Sequence, residues 1–402
     1  MDSAQVPILG RLNDRRRFEV AVFALAAALR LGFLAVFQWK GMGDVYGRDL
    51  YYNLAQSWLG WAPMPAFDAT HPPLYTALIA AVLGLFRSPN PLPVLLLQCV
   101  LGAGSVVLVA RIGARLLDEK TARVAAVWAA LDPALIFFTP HLQTETTFVA
   151  MELIFFLGVL ALWDEPLSSR NVALGVWGGL CVLCRSMFAA YPAFLFLAIW
   201  RAKGAWRAFG FCALLGLGWV IPTGLWTARN LFQYGRLVPM SGQMGWTLYE
   251  GFTLDREEIR RRPYEMDAEA TRLGITDSLE RGAYFFSKTL DFARNNPLAA
   301  GRIVLGKTLL YWRPWLYDPY TLWQRWCLGI YYVIVFALAL VGASAARTRG
   351  IWAPVWAVFI YLTAVHSIFF TSLRYRLPLE PFLCLLAASG AAALRRAWER
   401  HA

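Results

Sequence analysis

Charge is scarce in this chain. Of its 402 residues only 16% are Asp, Glu, Lys or Arg, against 58% apolar residues, and the mean hydropathy is +0.47. That balance is outside the range of ordinary soluble domains and fits a multi-span membrane protein. Histidine is rarer still, with four in all, and the six cysteines (Cys99, Cys181, Cys184, Cys212, Cys327 and Cys384) all fall inside apolar runs. Cys181 and Cys184 have redox-pair spacing, but within "GVWGGLCVLCRS" they read as helix filler. Neither a disulfide framework nor the ligand spacing of a zinc site is present. A cleavable signal peptide is missing too: "MDSAQVPILGRLNDRRRFEV" is polar, and the apolar run behind it is too long for a signal core, so the first span is expected to stay in place. The absence of a visible internal repeat weakens an inverted-repeat transporter reading.

What charge there is leans basic, with 38 Lys and Arg against 26 Asp and Glu. The arginines lie in short clusters between apolar runs, where they mark the cytoplasmic side of spans rather than a nucleic-acid surface. Arg11, Arg15, Arg16 and Arg17 place the N-terminus in the cytoplasm. The run at 73–86, at about 14 residues, has the length of an interfacial or re-entrant helix rather than a span. If it does not cross, the loop with Arg111, Arg115, Lys120 and Arg123 falls inside, as does the one with Arg201, Lys203 and Arg207. The run at 301–316 holds Arg302, Lys307 and Arg313, expensive in hydrocarbon, and is likewise assigned to the interface. An all-α polytopic protein follows, with about ten spans, both termini cytoplasmic and an external region at 228–300. Gly175, Gly178 and Gly179 predict close helix packing.

This topology collects Asp44, Arg48, Asp49, Asp68, His71, His141, Glu145, Arg185, Arg229, His366, Arg374 and Arg376 on the external face. Arginine's planar fork recognises phosphate oxygens and stabilises a phosphate leaving group, and a nearby carboxylate can take a proton from an attacking hydroxyl. That combination suits chemistry on a membrane-anchored phosphate ester. Plainer roles stay open for each residue. Asp49 could cap the helix predicted by "LYYNLAQSWL", Glu145 could favour a helix dipole, and Arg185 could anchor a turn. Arg374 and Arg376 could snorkel to lipid headgroups. Tyr51, Tyr52, Trp58 and Trp61 read as an aromatic belt in preference to a sugar platform.

Five stretches in order, "GDVYGRDLYYNLA", "THPPLYTALIAAVLGLF", "LDPALIFFTPHLQTETTF", "WTARNLFQYGRLVPMS" and "SLRYRLPLEPFLCLLAA", resemble the GT-C glycosyltransferases. The likeness is to bacterial relatives of protein O-mannosyltransferases and of the lipid A aminoarabinose transferase (glycosyltransferase family 39/83-like), over roughly residues 17 to 395. The resemblance implies a GT-C fold and an inverting transfer of a sugar from a polyprenyl-phosphate donor to a hydroxyl of a glycan, lipid or protein. It implies an active site on the periplasmic face of a bacterial inner membrane. Residues 1–227 would be a transmembrane module whose first external loop (39–92) carries the catalytic acid, 228–300 an external loop region, and 301–402 an interfacial helix with the C-terminal spans.

By position the catalytic acid is Asp49 or Asp44. The family pattern sets a Tyr about four residues after the acid, and Asp49, three before Tyr52, fits better than Asp44. Glu145 would be the second acid. His71, before "PPL", stands where the family has a donor-phosphate contact, and is a weaker cation than Lys unless an acid such as Asp68 holds its proton. Arg48, Arg185, Arg374 and Arg376 complete the lipid-phosphate set. No cofactor is obligatory, although the acids could take up a divalent cation. Two rivals remain: an oligosaccharide ligase or polymerase using lipid diphosphate, and a lipid or sugar transporter.

Overall fold

The computed structural model describes residues 5–40, 50–65, 67–315, 322–346 and 350–400; side chains 5–12, 323 and 324 are outside that description. Asp44, Arg48 and Asp49 therefore lie outside the described residues. The rest is helical. In chain order the helices are α1 (Gln5–Trp39), α2 (Leu50–Trp58), α3 (Pro73–Phe86), α4 (Leu92–Leu116), α5 (Glu119–Leu131), α6 (Pro133–Phe137), α7 (Thr144–Ala161), α8 (Ser169–Cys184) and α9 (Tyr191–Lys203). They continue as α10 (Ala205–Tyr234), α11 (Met244–Gly251), α12 (Arg256–Arg272), α13 (Ser278–Asn295), α14 (Pro297–Tyr311), α15 (Leu322–Ala346), α16 (Ala353–Ile368), α17 (Leu373–Arg376) and α18 (Glu380–Trp398).

Among the described residues seven segments are long and apolar enough to cross a membrane: Asn13–Trp39, Leu92–Leu116, Thr144–Ala161, Ala205–Tyr234, Arg325–Ala346, Gly350–Ile368 and Leu373–Trp398. The other three of the ten expected spans are helical but shorter, with 13 residues in α5, 16 in α8 and 13 in α9. The run at 122–139 is not one helix. Pro133 lacks an N–H, and Asp132 before it turns extended, so α5 stops and α6 restarts with the Asp132 carboxylate capping Leu135 N–H at 2.9 Å.

Close packing rests on glycine. A Cβ on Gly390 would sit 1.9 Å from the Leu338 carbonyl oxygen, and one on Gly342 1.9 Å from that of Leu386; the backbones of α15 and α18 touch there. Gly175 and Gly218 do the same for α8 and α10, each 2.0 Å from the opposing carbonyl. Gly102 on α4 opens space for Arg30, whose Nε would lie 2.6 Å from an added Cβ. Between these seams an aromatic core of Phe148, Phe155, Phe156, Phe188, Tyr191 and Phe382 joins α7, α9 and α18, with rings meeting mostly edge to face.

Arg376 belongs to this interior. It is 1% exposed, pairs with Glu380 at 2.9 Å, donates to the carbonyls of Tyr311 and Arg313 at 3.3 and 3.0 Å, and lies over the rings of Tyr332 and Phe336. It ties α17 and α18 to the end of α14.

Two outcomes are expected. Gly390→Val must force α15 and α18 apart, costing on the order of 1–3 kcal/mol as overpacking does, so its thermal midpoint in detergent drops. Gly104→Ala, inside α4 with nothing within 4 Å of its Cβ, does not lower the midpoint, since Ala is the better helix former by about 0.5–1 kcal/mol. Arg376→Met strands the buried Glu380 carboxyl and destabilises by about 3–5 kcal/mol, and Arg376→Met/Glu380→Leu regains much of that loss. Thermal unfolding of the three proteins checks it.

Candidate active site

The C-terminal ends of α1, α8, α10 and α16 and the N-terminal ends of α3, α4, α7 and α17 come together, and the polar residues gather there. Glu145 lies in the first turn of α7, where the free N–H groups of the helix favour a carboxylate. Arg185 is the C-cap of α8, where unpaired carbonyls favour a cation. Arg374 projects from the single turn of α17. The three converge: Arg374 Nε donates to Glu145 Oε1, and Arg185 Nη1 stands 3.3 Å from the same oxygen. Glu145 is fully buried and Arg185 nearly so, whereas about a third of the Arg374 side chain is exposed.

Not all of their bonding capacity is used. Glu145 Oε2 and Arg185 Nη1 are buried without a hydrogen-bond partner among the described residues, where polar atoms are normally satisfied. Tyr375 lies beneath both guanidiniums, 5.2 Å from that of Arg185 and 5.8 Å from that of Arg374, and His366 stacks on the same ring at 4.8 Å. The His366 Nε2 is also buried and unpartnered.

On the opposite wall stands His71, in the turn before α3. Its ring is edge-on to Tyr51 of α2 at 4.8 Å, and Tyr51 is edge-on to Tyr75 of α3 at 5.3 Å. Burial first, and the nearby Arg374 charge second, push the His71 imidazole down to about 4, so it is neutral at pH 7. Asp68 does not hold its proton. That carboxylate is engaged by both Arg229 nitrogens at 2.8 and 2.7 Å and by the Tyr234 hydroxyl; burial raises the Asp68 carboxyl, but those bonds outweigh it and hold the group below its ordinary range. The His71 ring nitrogen instead meets Thr70 Oγ1 at 3.3 Å. His71 is thus a hydrogen-bonding group, and Asp68 with Arg229 ties its loop to α10.

The structure brings together Glu145, Arg185, Arg374 and His71 from the sequence-derived set, and sets Arg376 apart in the core. Tyr51 and Tyr52 turn inward rather than forming a belt, the latter buried with its hydroxyl on the Pro89 carbonyl. Gln98 carried no signal in the sequence, lying within the apolar run of α4. It accepts from the Tyr75 hydroxyl at 2.5 Å and donates to the carbonyls of Thr139 and His141 at 2.6 and 2.8 Å, fixing the loop that leads to Glu145. Among the described residues, no cluster of three His, Cys, Asp or Glu is arranged to hold a metal ion.

Chemically, among the described residues, two guanidiniums share one carboxylate next to a neutral imidazole and several aromatic faces. Residues 70–226, under half of the chain, match the sequence model of the dolichyl-phosphate-mannose-protein mannosyltransferase family. No significantly similar sequence was found among curated proteins. The fold is similar to that of the Archaeoglobus fulgidus oligosaccharyltransferase. In the apo form the TM-score is 0.58 at 16% identity, covering 95% of this chain and 52% of that one. In the complex with an inhibitory peptide and a dolichol-phosphate it is 0.54 at 15% identity, covering 96% and 52%. A third structure, with zinc and sulfate, gives 0.53 at 14% identity, covering 94% and 49%. The chain spans about half the length of these solved structures. Residues 70–226 thus resemble that mannosyltransferase family in sequence, and nearly the whole chain shares the fold of the membrane part of a GT-C-type transferase.

Proposed function

We propose that the protein transfers a sugar from a polyprenyl-phosphate donor to a hydroxyl acceptor, with inversion, on the outer face of a bacterial inner membrane. The observation that carries this reading is the charge of the buried triad. Among the described residues Arg185 and Arg374 form ion pairs with Glu145 alone, one positive charge in excess, and an unbalanced charge in a largely buried site is costly. A glycosyl phosphodiester carries one negative charge and would balance it. A lipid diphosphate would overshoot, which favours the monophosphate donor over the ligase reading.

In the mechanism, the acceptor oxygen attacks the anomeric carbon as the bond to the phosphate oxygen breaks. The departing phosphate gains negative charge, which Arg374 and Arg185 are placed to stabilise, with Arg48 as a further candidate. The acceptor proton goes to a carboxylate of the first loop, Asp49 or Asp44. Glu145 then acts as the anion that orients the two arginines, and its unpartnered Oε2 can accept a hydrogen bond from a sugar hydroxyl or from the acceptor. His71 would donate to a phosphate oxygen as a neutral ring, as its lowered basicity requires.

Two tests follow. Native mass spectrometry of the gently extracted wild type should show bound polyprenyl monophosphate, with occupancy reduced at least about tenfold in Arg374→Gln or Arg185→Gln, as expected for losing one charge-assisted contact. The exposed pair former Arg236→Gln should leave occupancy intact. Retention of a diphosphate lipid would move the reading to the ligase, and bulk phospholipid alone would sink it. In membranes supplied with polyprenyl-phosphate sugar, Asp49→Asn should slow release of polyprenyl phosphate by about 10²–10⁴, the usual range for a lost general base. Full activity in Asp49→Asn together with loss in Asp44→Asn would reassign the base.

A further inference from the structure

Lys307 is a buried charge for which the site above has no use. It lies on α14, 2% exposed, and donates to three backbone carbonyls: Gly251 at the end of α11 at 2.6 Å, Ile368 at the end of α16 at 2.9 Å, and Phe369 just beyond. An ammonium has three donors and no acceptor, so all three protons are placed. Among the described residues no carboxylate forms an ion pair with it; its compensation comes from carbonyl dipoles alone.

Two of those carbonyls, Ile368 and Phe369, open the turn from which Arg374 springs, and the third ties it to the end of α11. The same turn is held by His366 Nδ1 against the Phe370 carbonyl at 2.9 Å, by the Thr371 hydroxyl donating to the His366 carbonyl, and by Thr308 of α14 meeting Ser367 at 2.7 Å. Gly251 abuts it so closely that an added Cβ would lie 2.9 Å from the Phe370 nitrogen. Four residues separate Phe369 from Arg374, so the reach of the guanidinium toward Glu145 is set by where this turn sits.

We infer that Lys307 is a positioning residue, whose ammonium fixes the turn that presents Arg374 to the donor phosphate. The inference rests on the functional reading above for the phosphate, and on the carbonyl geometry alone for the clamp. Burial first, and Arg262 of α12 second, bring the Lys307 ammonium down to about 7. The other titratable group facing it is His366 of α16, and Glu250 precedes its Gly251 acceptor on α11. Because the folded group loses its proton far below the ordinary lysine range, the clamp is complete below pH 7. As pH rises through 7 the neutral amine keeps only two N–H groups for three carbonyls.

The test uses the full chain in lipid nanodiscs with the methyl ester of polyprenyl phosphate, whose single charge does not change between pH 6 and 8. Wild-type affinity should fall severalfold over that interval. Lys307→Arg, permanently charged, should remove this pH dependence, and Lys307→Met should bind about tenfold more weakly at pH 6, the scale of one lost charge-assisted bond. Amide protection over residues 368–373, taken relative to the intrinsic exchange rate at each pH, should fall in Lys307→Met and, for the wild type but not Lys307→Arg, at pH 8. Unchanged exchange in a folded Lys307→Met, or equal pH profiles for wild type and Lys307→Arg, would overturn the inference. Should the wild type bind no ester at either pH, the donor reading fails with its positioning role, while the exchange data still decide the clamp. Should Lys307→Met fail to fold, the wild-type and Lys307→Arg profiles decide it.

Discussion

One buried carboxylate shared by two guanidiniums organises the polar end of this protein. Glu145 alone would be ruinous in an apolar bundle, and either arginine alone nearly so. Together they satisfy one another while leaving charge and bonding capacity over. The three come from α7, α8 and α17, so the pairing also brings distant parts of the chain to one place. The Gln98 network below His141 and the Asp68–Arg229 tie before His71 fix the loops around that centre. Each spends its polar atoms on structure, whereas Glu145 Oε2 and Arg185 Nη1 in the triad are buried without a partner among the described residues.

The other intramembrane charges show the contrast. Arg376 is held in the interior by a carboxylate, two carbonyls and two aromatic faces, with its Nη2 buried and unpartnered among the described residues. Arg30 and Asp132 sit close enough to influence one another across α1 and the α5–α6 break, and Asp132 also accepts from the Tyr331 hydroxyl at 2.8 Å. Basic residues two apart in sequence, Arg374 and Arg376, have opposite fates because the turn of α17 aims one at Glu145 and the other at Glu380.

That divergence marks the limit of what the sequence makes legible. Apolar runs and basic clusters suffice to place the helices, because hydrocarbon demands both length and apolarity. They do not reveal that the run at 122–139 breaks at Pro133, though the Asp-Pro step was available as a signal. The convergence of Glu145, Arg185, Arg374 and His71 follows from sorting polar residues by the end of the bundle they occupy. Gln98 and Lys307 were hidden because their partners are backbone carbonyls, and a carbonyl has no letter in a sequence. The protonation of His71 was equally hidden, since it depends on Asp68 being taken by Arg229. The choice between Asp44 and Asp49 rests on sequence spacing, as both lie outside the described residues.

The glycine seam between α15 and α18 has a mechanical consequence. Where two backbones touch without side chains between them, neither helix can slide along the other without a carbonyl striking a Cα, so the pair behaves as one strut. Arg374 stands at the head of that strut, joined to it through Arg376 and Glu380. On the opposite wall the loop before His71 is pinned at separate points, by Asp68 on Arg229, by the Ser241 hydroxyl donating to the Thr70 carbonyl and by the Gly242 N–H donating to the Ala69 carbonyl. The arginine wall is braced along the length of two helices, and the histidine wall by three local bonds.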